Sequence, residues 1–324
     1  MFEFLKNRAY PIGIDLGNDG LKMIQLAENG SGITLIAGRT ENRPVSIEPG
    51  TCNWQKWAID AMKRLTANGS FRGKDVTATI PAAQVFVEHT RMPKTADGKI
   101  EDALLARIKQ KLPFDCAREQ VMTKYIPAED DNVLVLVTER AIIDRHLAIY
   151  EKAALHIKAI TAWPTALAQC YAKFFGRRQS DLEAVVMLLC IEPDHTNLVI
   201  CRHKNLLFAR SISIAAPNLE DERTINRLVM EIDSSKRQFS SIYRNVQMER
   251  LIFLTGQVVD KETCGAIAKQ LEIPAQMGDC LAAIKITDLS GLGIDRRNPV
   301  TIRPNGSQRP KPVNWTTAFG LSLS

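Results

Sequence analysis

Long apolar runs are missing from this 324-residue chain. No window offers roughly 18 consecutive apolar residues, so no segment is expected to cross a membrane as a helix. Paired cysteines are missing too. The seven thiols, Cys52, Cys116, Cys170, Cys190, Cys201, Cys264 and Cys280, contain no CxxC and are odd in number. The opening stretch from Met1 to Tyr10 is too short and too charged for a secretory signal. Together these features predict free thiols in a reducing cytoplasm. The opening reads as a frayed leader, with a small amphipathic foot as the alternative. No GxSxG, HExxH or P-loop pattern occurs, which removes the common hydrolase, zinc-peptidase and P-loop signatures. Aromatic residues make up only 6%. They are not interleaved with basic residues in the way single-strand nucleic-acid binders need.

What remains is ordinary globular material. Hydrophobic residues are 45% and charged residues 24%, which excludes a disordered or collagen-like chain. The length suits two domains or one bilobed unit. Lys and Arg exceed Asp and Glu by 42 − 36 = 6, a mild excess that indicates no acidic partner by itself. Arg296, Arg297, Arg303, Arg309 and Lys311 sit among Pro, Asn and Gly between Asp295 and Val313. That stretch reads as an irregular, solvated tail.

A strand–turn–strand–turn–strand pattern occurs twice. The first copy is Ile12 to Leu16, Leu21 to Leu26 and Ile33 to Ile36. The second is Val185 to Ile191, Asn197 to Cys201 and Leu206 to Ile214. Apolar runs bounded by Gly, Asn, Asp and Pro predict buried strands joined by tight turns. Two such units half a chain apart imply two related lobes. Helical spacing is present at Trp54 to Leu65, Ile100 to Leu112, Ala141 to Ala154, Thr165 to Phe175, Glu222 to Tyr243 and Thr263 to Leu271. Further strands are expected at Val76 to Ile80, Val85 to Met92, Val133 to Val137, Lys158 to Thr161 and Arg250 to Thr255. Gly176 to Asp181 reads as a polar joint.

One turn suggests chemistry. Ile14-Asp-Leu-Gly-Asn-Asp-Gly-Leu-Lys22 is a strand, a glycine-bounded turn and a second strand. Such a turn gathers backbone N–H groups that can hold phosphate oxygens. Asp15 could hold Mg²⁺ through water, and Lys22 could face the phosphates. Many plain hairpins share this chemistry. Cys190, His195, Cys201 and His203 also fall close together, but without the spacing of a zinc site. The two cysteines read as buried strand residues.

The order and spacing of several short motifs resemble the PilM-like family of type IV pilus assembly proteins. The motifs are Gly13-Ile-Asp-Leu-Gly17 with Lys22, Ile80-Pro81, Met92-Pro93, and Leu112-Pro-Phe-Asp115 with Tyr125. They continue with Val133 to Val137, Thr196-Asn-Leu-Val, Phe208 to Ile214, Glu231 to Tyr243, Leu254-Thr-Gly256 and Ala318-Phe-Gly-Leu321. The resemblance implies an α/β, actin-like (ribonuclease H-like) bilobed fold with an FtsA-type inserted subdomain. The first lobe would comprise residues 1–83, 158–177 and 313–324, the insert 84–157, and the second lobe 178–312. It also implies a nucleotide site built from Asp15, Gly17, Asn18, Lys22, Thr196, Asn197, Thr255 and Gly256, with ATP and Mg²⁺ as ligands.

Against the family pattern, the first loop has Asn18, Asp19 and Gly20 in place of small hydroxyl residues. The second has Cys190, Ile191, Glu192 and Pro193 in place of Asp, an apolar residue and Gly. A carboxylate facing a phosphate at 4 Å costs roughly 4 kcal/mol at an effective dielectric near 20. Gln257 and Val258 follow Gly256 where a second glycine is expected, and a base-lining helical insert before Glu222 is missing. These departures point to lost or weak ATP binding, with no catalytic residue and no metal ligand.

The resemblance then implies a cytoplasmic scaffold, peripheral to the inner membrane. It would bind the short N-terminal tail of a PilN-like membrane protein in a groove near Val76 to Ile80, Val85 to Met92 and Ile100 to Leu112. The pilus assembly ATPase, other platform proteins and a second copy of the chain are further candidate partners; nucleic acid is not. The alternatives are a working actin-like ATP switch and the cytoplasmic actin-like part of a type II secretion protein. An FtsA-like membrane tether is disfavoured, because Asn314 to Ser324 lacks a basic amphipathic helix.

Overall fold

The first repeat folds as an antiparallel meander of β1 (Arg8–Leu16), β2 (Gly20–Asn29) and β3 (Gly32–Asn42). Helix α1 (Cys52–Ala67) leads to β4 (Asp75–Thr79), which pairs in parallel with β1. Next come β5 (Phe86–Arg91), α2 (Ile100–Ile108), β6 (Val121–Pro127) and β7 (Asn132–Glu139); the strands form a separate sheet ordered β5-β7-β6. Helix α3 (Arg140–Lys152) returns to β8 (His156–Thr161), which completes a first sheet ordered β3-β2-β1-β4-β8.

Helices α4 (Trp163–Phe174) and α5 (Gln179–Glu183) enter the second half. There β9 (Val185–Ile191), β10 (Thr196–Arg202) and β11 (Asn205–Ile212) repeat the meander. Helix α6 (Glu222–Ile242), β12 (Arg250–Phe253), α7 (Lys261–Leu271) and β13 (Ala275–Met277) complete a sheet ordered β11-β10-β9-β12-β13. Counted within each sheet, both run third, second, first, fourth, fifth. The chain ends with a ribbon of β14 (Ile294–Asp295) and β15 (Asn298–Ile302), then helix α8 (Thr316–Ser322). This computed structural model describes residues 8–30, 32–67, 69–94, 97–114, 117–284, 294–295, 298–302 and 313–324. The leader up to Asn7, Asp115, Cys116 and the basic residues Arg296, Arg297, Arg303, Arg309 and Lys311 lie outside them.

Why β9 reads as an unbroken apolar run is visible in its packing. Val185, Met187, Leu189 and Ile191 face Leu228, Ile232 and Phe239 of α6 and Ile267 of α7. Val186, Leu188 and Cys190 face Trp163, Leu167 and Tyr171 of α4. A strand covered on both faces needs no polar alternation. β7 behaves alike: Val133, Val135 and Val137 pack on Leu104, Leu105 and Ile108 of α2. Leu134 faces the second-lobe cluster.

Two helices fill the space between the large sheets. Helix α4 turns Trp163, Leu167 and Tyr171 to the second sheet, and Cys170 and Phe174 to the first core. Helix α8 lies on β1, and all seven of its residues are buried. Its close seat depends on Gly13, where an added Cβ would lie 2.1 Å from the Ala318 carbonyl oxygen. Ser322 Oγ donates to Pro11 O at 2.8 Å and accepts from Leu26 N at 3.2 Å, tying the chain end to β1 and β2.

Several local expectations are corrected. The helix expected to reach Leu112 stops at Ile108, and Lys109–Lys111 tightens into a 3₁₀ turn. Leu112 is extended, at φ −63° and ψ 137°, because Pro113 disfavours a helical predecessor. The polar joint contains α5, and its Asp181 is buried beside Arg250 at 2.5 Å. The stretch after Asp295 holds the ribbon strand β15. β6 and α8 were not legible as elements in the sequence.

Candidate functional site

The turns β1–β2 and β9–β10 meet across a cleft. The register that pairs Asp15 with Lys22 aims both side chains into it. Across the cleft, Asn197 pairs with Cys190 beside the turn that carries Glu192, Asp194 and His195. Thr79, Trp163 and Thr317 close its base from β4, α4 and α8.

Lys22 is the centre of the charge arrangement. Its Nζ lies 3.1 Å from Glu192, 3.3 Å from Asp15 and 3.9 Å from Asp19. Burial works to lower the Lys22 ammonium, but the Asp19, Glu192 and Asp15 carboxylates outweigh it and hold its pKa well above the usual lysine range. One ammonium does not neutralise three carboxylates. Burial, reinforced by the charges of Asp15 and Asp19, therefore pushes Glu192 up to about 7 despite Lys22. Burial also raises Asp15.

A second network runs alongside. Asn18 Nδ2 donates to Asp194 Oδ2 at 3.0 Å, His195 Nδ1 lies 2.5 Å from Asp194 Oδ1, and Asn197 Nδ2 lies 2.8 Å from His195 Nε2. Burial disfavours charge on both His195 and Asp194. Their mutual contact prevails, raising the imidazole and lowering the carboxyl. Asn197 Oδ1 and Trp163 Nε1 are buried with no hydrogen-bond partner among the described residues.

Of the residues expected at a nucleotide site, the fold gathers Asp15, Gly17, Asn18, Lys22 and Asn197 around the cleft. Thr196 is fully buried and donates its hydroxyl to Ile214 O at 2.7 Å. Thr255 is fully buried as well. Gly256 faces Val313 and Asn314 in a separate hollow of about 10 Å³. The backbone donors expected to face a ligand are partly committed: Gly17 N–H closes its own turn onto Gly20 O, and Glu192 N–H closes onto His195 O. The space left between the hairpins is about 30 Å³, room for one or two waters. Ligand pockets run to about 300–1,000 Å³. Among the described residues no group of His, Cys, Asp and Glu is arranged to hold a metal ion. Cys190 and Cys201 are buried in their strands, and His203 sits at the far turn of β10–β11.

Asp194 and His195 fall within the second turn read as part of the site, Cys190 to Asn197, but no role was assigned to them there. Thr79, Trp163 and Thr317 were not expected at this cleft and come from elements brought in by folding. A larger groove of about 440 Å³ opens between Phe114, the Glu119–Gln120 pair and the start of α3. It is lined by Phe114, Glu119, Gln120, Glu139, Arg140, Ala141 and Asp144.

Paired sheets of one strand order, two helices between them and a cleft between equivalent hairpins define the actin-like ATPase fold. A chain of the PilM–PilN type IV pilus biogenesis complex matches it with a TM-score of 0.73 at 16% identity, over 97% of this chain and 98% of that one. A Bacteroides thetaiotaomicron protein of unknown function with an actin-like ATPase fold matches at 0.51 and 15% identity, over 88% of this chain and 96% of that one. The ethanolamine utilization protein EutJ from Carboxydothermus hydrogenoformans matches at 0.51 and 11% identity, over 98% and 90%. No family model matches the sequence. No curated protein matches it either. Among the described residues no helix is long and apolar enough to cross a membrane.

Proposed function

We propose that this chain is a cytoplasmic scaffold of a type IV pilus or related inner-membrane assembly complex. It binds the short cytoplasmic tail of a PilN-like membrane protein and is held at the membrane through that partner. Nucleotide binding is lost or weak. The observation that carries the reading is the end-to-end likeness to a chain of the PilM–PilN complex. The cleft supports its second half, because Lys22 already has chain-supplied counter-ions and little space remains. In this reading residues 84–157 form an inserted part between portions of the first lobe. Where the resemblance implied a tail site near Val76 to Ile80, Val85 to Met92 and Ile100 to Leu112, the tail is assigned instead to a different place, the groove beside α3. Phe114 offers an apolar contact there, and the exposed Glu119, Glu139 and Asp144 favour a tail with basic residues.

The test is capture of synthetic N-terminal tails of membrane proteins encoded beside this chain. One tail should be retained by wild type and lost with Glu139→Lys/Asp144→Lys. Failure to retain any tail would refute the scaffold reading. Calorimetry with Mg-ATP tests the second half, and micromolar binding would overturn it in favour of an ATP-operated switch. That alternative draws on Gly17, Asn18, Lys22 and Asn197, which do line one cleft.

A further inference from the structure

The two hairpin turns belong to different lobes, and polar groups join them. Lys22 reaches Glu192, and Asn18 reaches Asp194. Around these contacts, four carboxylates (Asp15, Asp19, Glu192 and Asp194) face one ammonium. The titratable group that could add a cation on the second turn is His195. A surplus of carboxylate in a narrow, largely buried cleft is costly, and a bound proton relieves it.

The surroundings accommodate that proton in either place. On Glu192, the second oxygen faces the Cys190 thiol at 3.3 Å and can carry the proton, while the first still accepts from Lys22 Nζ at 3.1 Å; what is given up is the charge of that pair, against relief of the repulsion from Asp15 and Asp19. On His195, the amide of Asn197 matters. As placed, its Nδ2 faces Nε2, an arrangement that suits a neutral imidazole donating from Nδ1 to Asp194. Asn197 Oδ1 is buried and without a partner. Turning the amide over would give an Nε2–H of the charged ring an acceptor, and satisfy that oxygen. The network thus holds a partner for each state of the ring. Arg43, just after β3, brings a guanidinium to the first turn, where it donates to the Asn18 and Ile47 carbonyl oxygens. The other groups facing the cluster are neutral: Tyr150 of α3 near Asp15, Asn314 beside Cys190, and Thr79, Trp163 and Thr317 at the base.

We propose that the β1–β2 and β9–β10 turns form a proton-dependent latch between the lobes, closed while the cleft holds a proton on Glu192 or His195 and loosened when both have lost it. This inference is independent of the pilus reading. It concerns how firmly the lobes are joined, whatever binds elsewhere. The directions of the shifts agree with it, since both Glu192 and His195 hold protons more tightly in the folded cleft than in water.

Hydrogen exchange of the full chain tests it, following peptides over residues 15–22 and 190–197 from pH 6 to 8.5 with intrinsic rates divided out. The opening constant should rise with pH, by up to about tenfold per pH unit for a one-proton linkage, and level off once both groups have lost their protons. The Glu192 part of the rise ends near pH 7 and should vanish in Glu192→Gln, which is neutral at every pH; the His195 part runs on above about 6.5 and should vanish in His195→Asn. A flat profile in wild type, or an unchanged slope in both Glu192→Gln and His195→Asn, overturns the latch. Should the variants not fold, wild type alone decides, by whether the rise with pH is present in both peptides.

Discussion

Gly320 lies on the backbone of Ala166: a Cβ added to it would stand 1.9 Å from the Ala166 carbonyl oxygen. This contact sets how closely α8 approaches α4, and so how the first sheet is joined to the second. Backbone on both sides cannot swing away as a side chain could. Gly320→Ala should therefore destabilise by about 3 kcal/mol, at the upper end of ordinary overpacking. Gly13→Ala strains the other side of the same helix, and the double variant should cost less than the sum. Urea unfolding midpoints decide both, and a shift for Gly320→Ala below about 0.5 kcal/mol would contradict the contact.

Lys22→Met leaves Glu192, Asp15 and Asp19 without their shared cation. Removing one member of a buried ionic group costs about 3–5 kcal/mol. The loss should be larger at pH 8 than at pH 6, because the orphaned carboxylates can take up protons at the lower pH. Adding Glu192→Gln should recover part of it. Equal losses at both pH values would show that the cluster is solvated rather than buried.

Stability should fall on both sides of a maximum near pH 6.5. His146 is buried against Trp54, with ring centroids 5.8 Å apart; burial, helped by Arg145, depresses it to about 4. A depressed histidine must stay neutral, so its contribution is complete above the unfolded value of about 6.5 and is lost as pH falls toward 4. For the full shift that amounts to about 3 kcal/mol. Glu192 acts in the opposite sense over an overlapping window: its contribution is complete below about 4.5, is lost as pH rises to about 7 and is level beyond. The alkaline limb comes from His195, whose raised value makes its contribution fade as pH rises above about 6.5. Burial depresses His89 to about 4 as well, so His146→Phe should remove about half of the acid limb and leave the alkaline limb in place. Thermal melts across pH 4.5–8.5 read both limbs.

The small sheet is clamped to the second lobe at two points. His89 stacks on Phe208 with centroids 4.2 Å apart, and its Nε2 accepts the Ala209 N–H at 3.1 Å. Arg202 Nη1 lies 2.7 Å from both Glu129 oxygens. His89→Ala should cost about 1 kcal/mol for the hydrogen bond, plus the lost stacking. Exchange at the Ala209 amide should accelerate before exchange elsewhere in β11. Unchanged protection at Ala209 would mean that the small sheet does not brace the edge strand.

Much of this molecule was legible because local chemistry and tertiary need coincide. The apolar runs of β9 and β7 mark strands covered on both faces. Pro164 falls in the first turn of α4. The Gly17–Gly20 turn separates paired strands, so Asp15 and Lys22 could be placed together from the chain alone. Helix α8 stayed hidden for the opposite reason. Thr316, Thr317, Gly320 and Ser322 are poor helix formers. A segment buried all round also carries no polar stripe to reveal its period. β6 stayed hidden because Lys124 and Pro127 interrupt its apolar pattern.

The sequence by itself determined the two repeated hairpin units, the mild charge and the acidic residues carried by both turns, since each follows from neighbours along the chain. Tertiary structure decided that Glu192, 170 positions from Lys22, would become its counter-ion. It also decided that Thr255 and Gly256 would stay out of the cleft around Lys22. Charge at a distance is felt only once the lobes exclude water and the dielectric falls, and no local pattern records which side chains will then be neighbours.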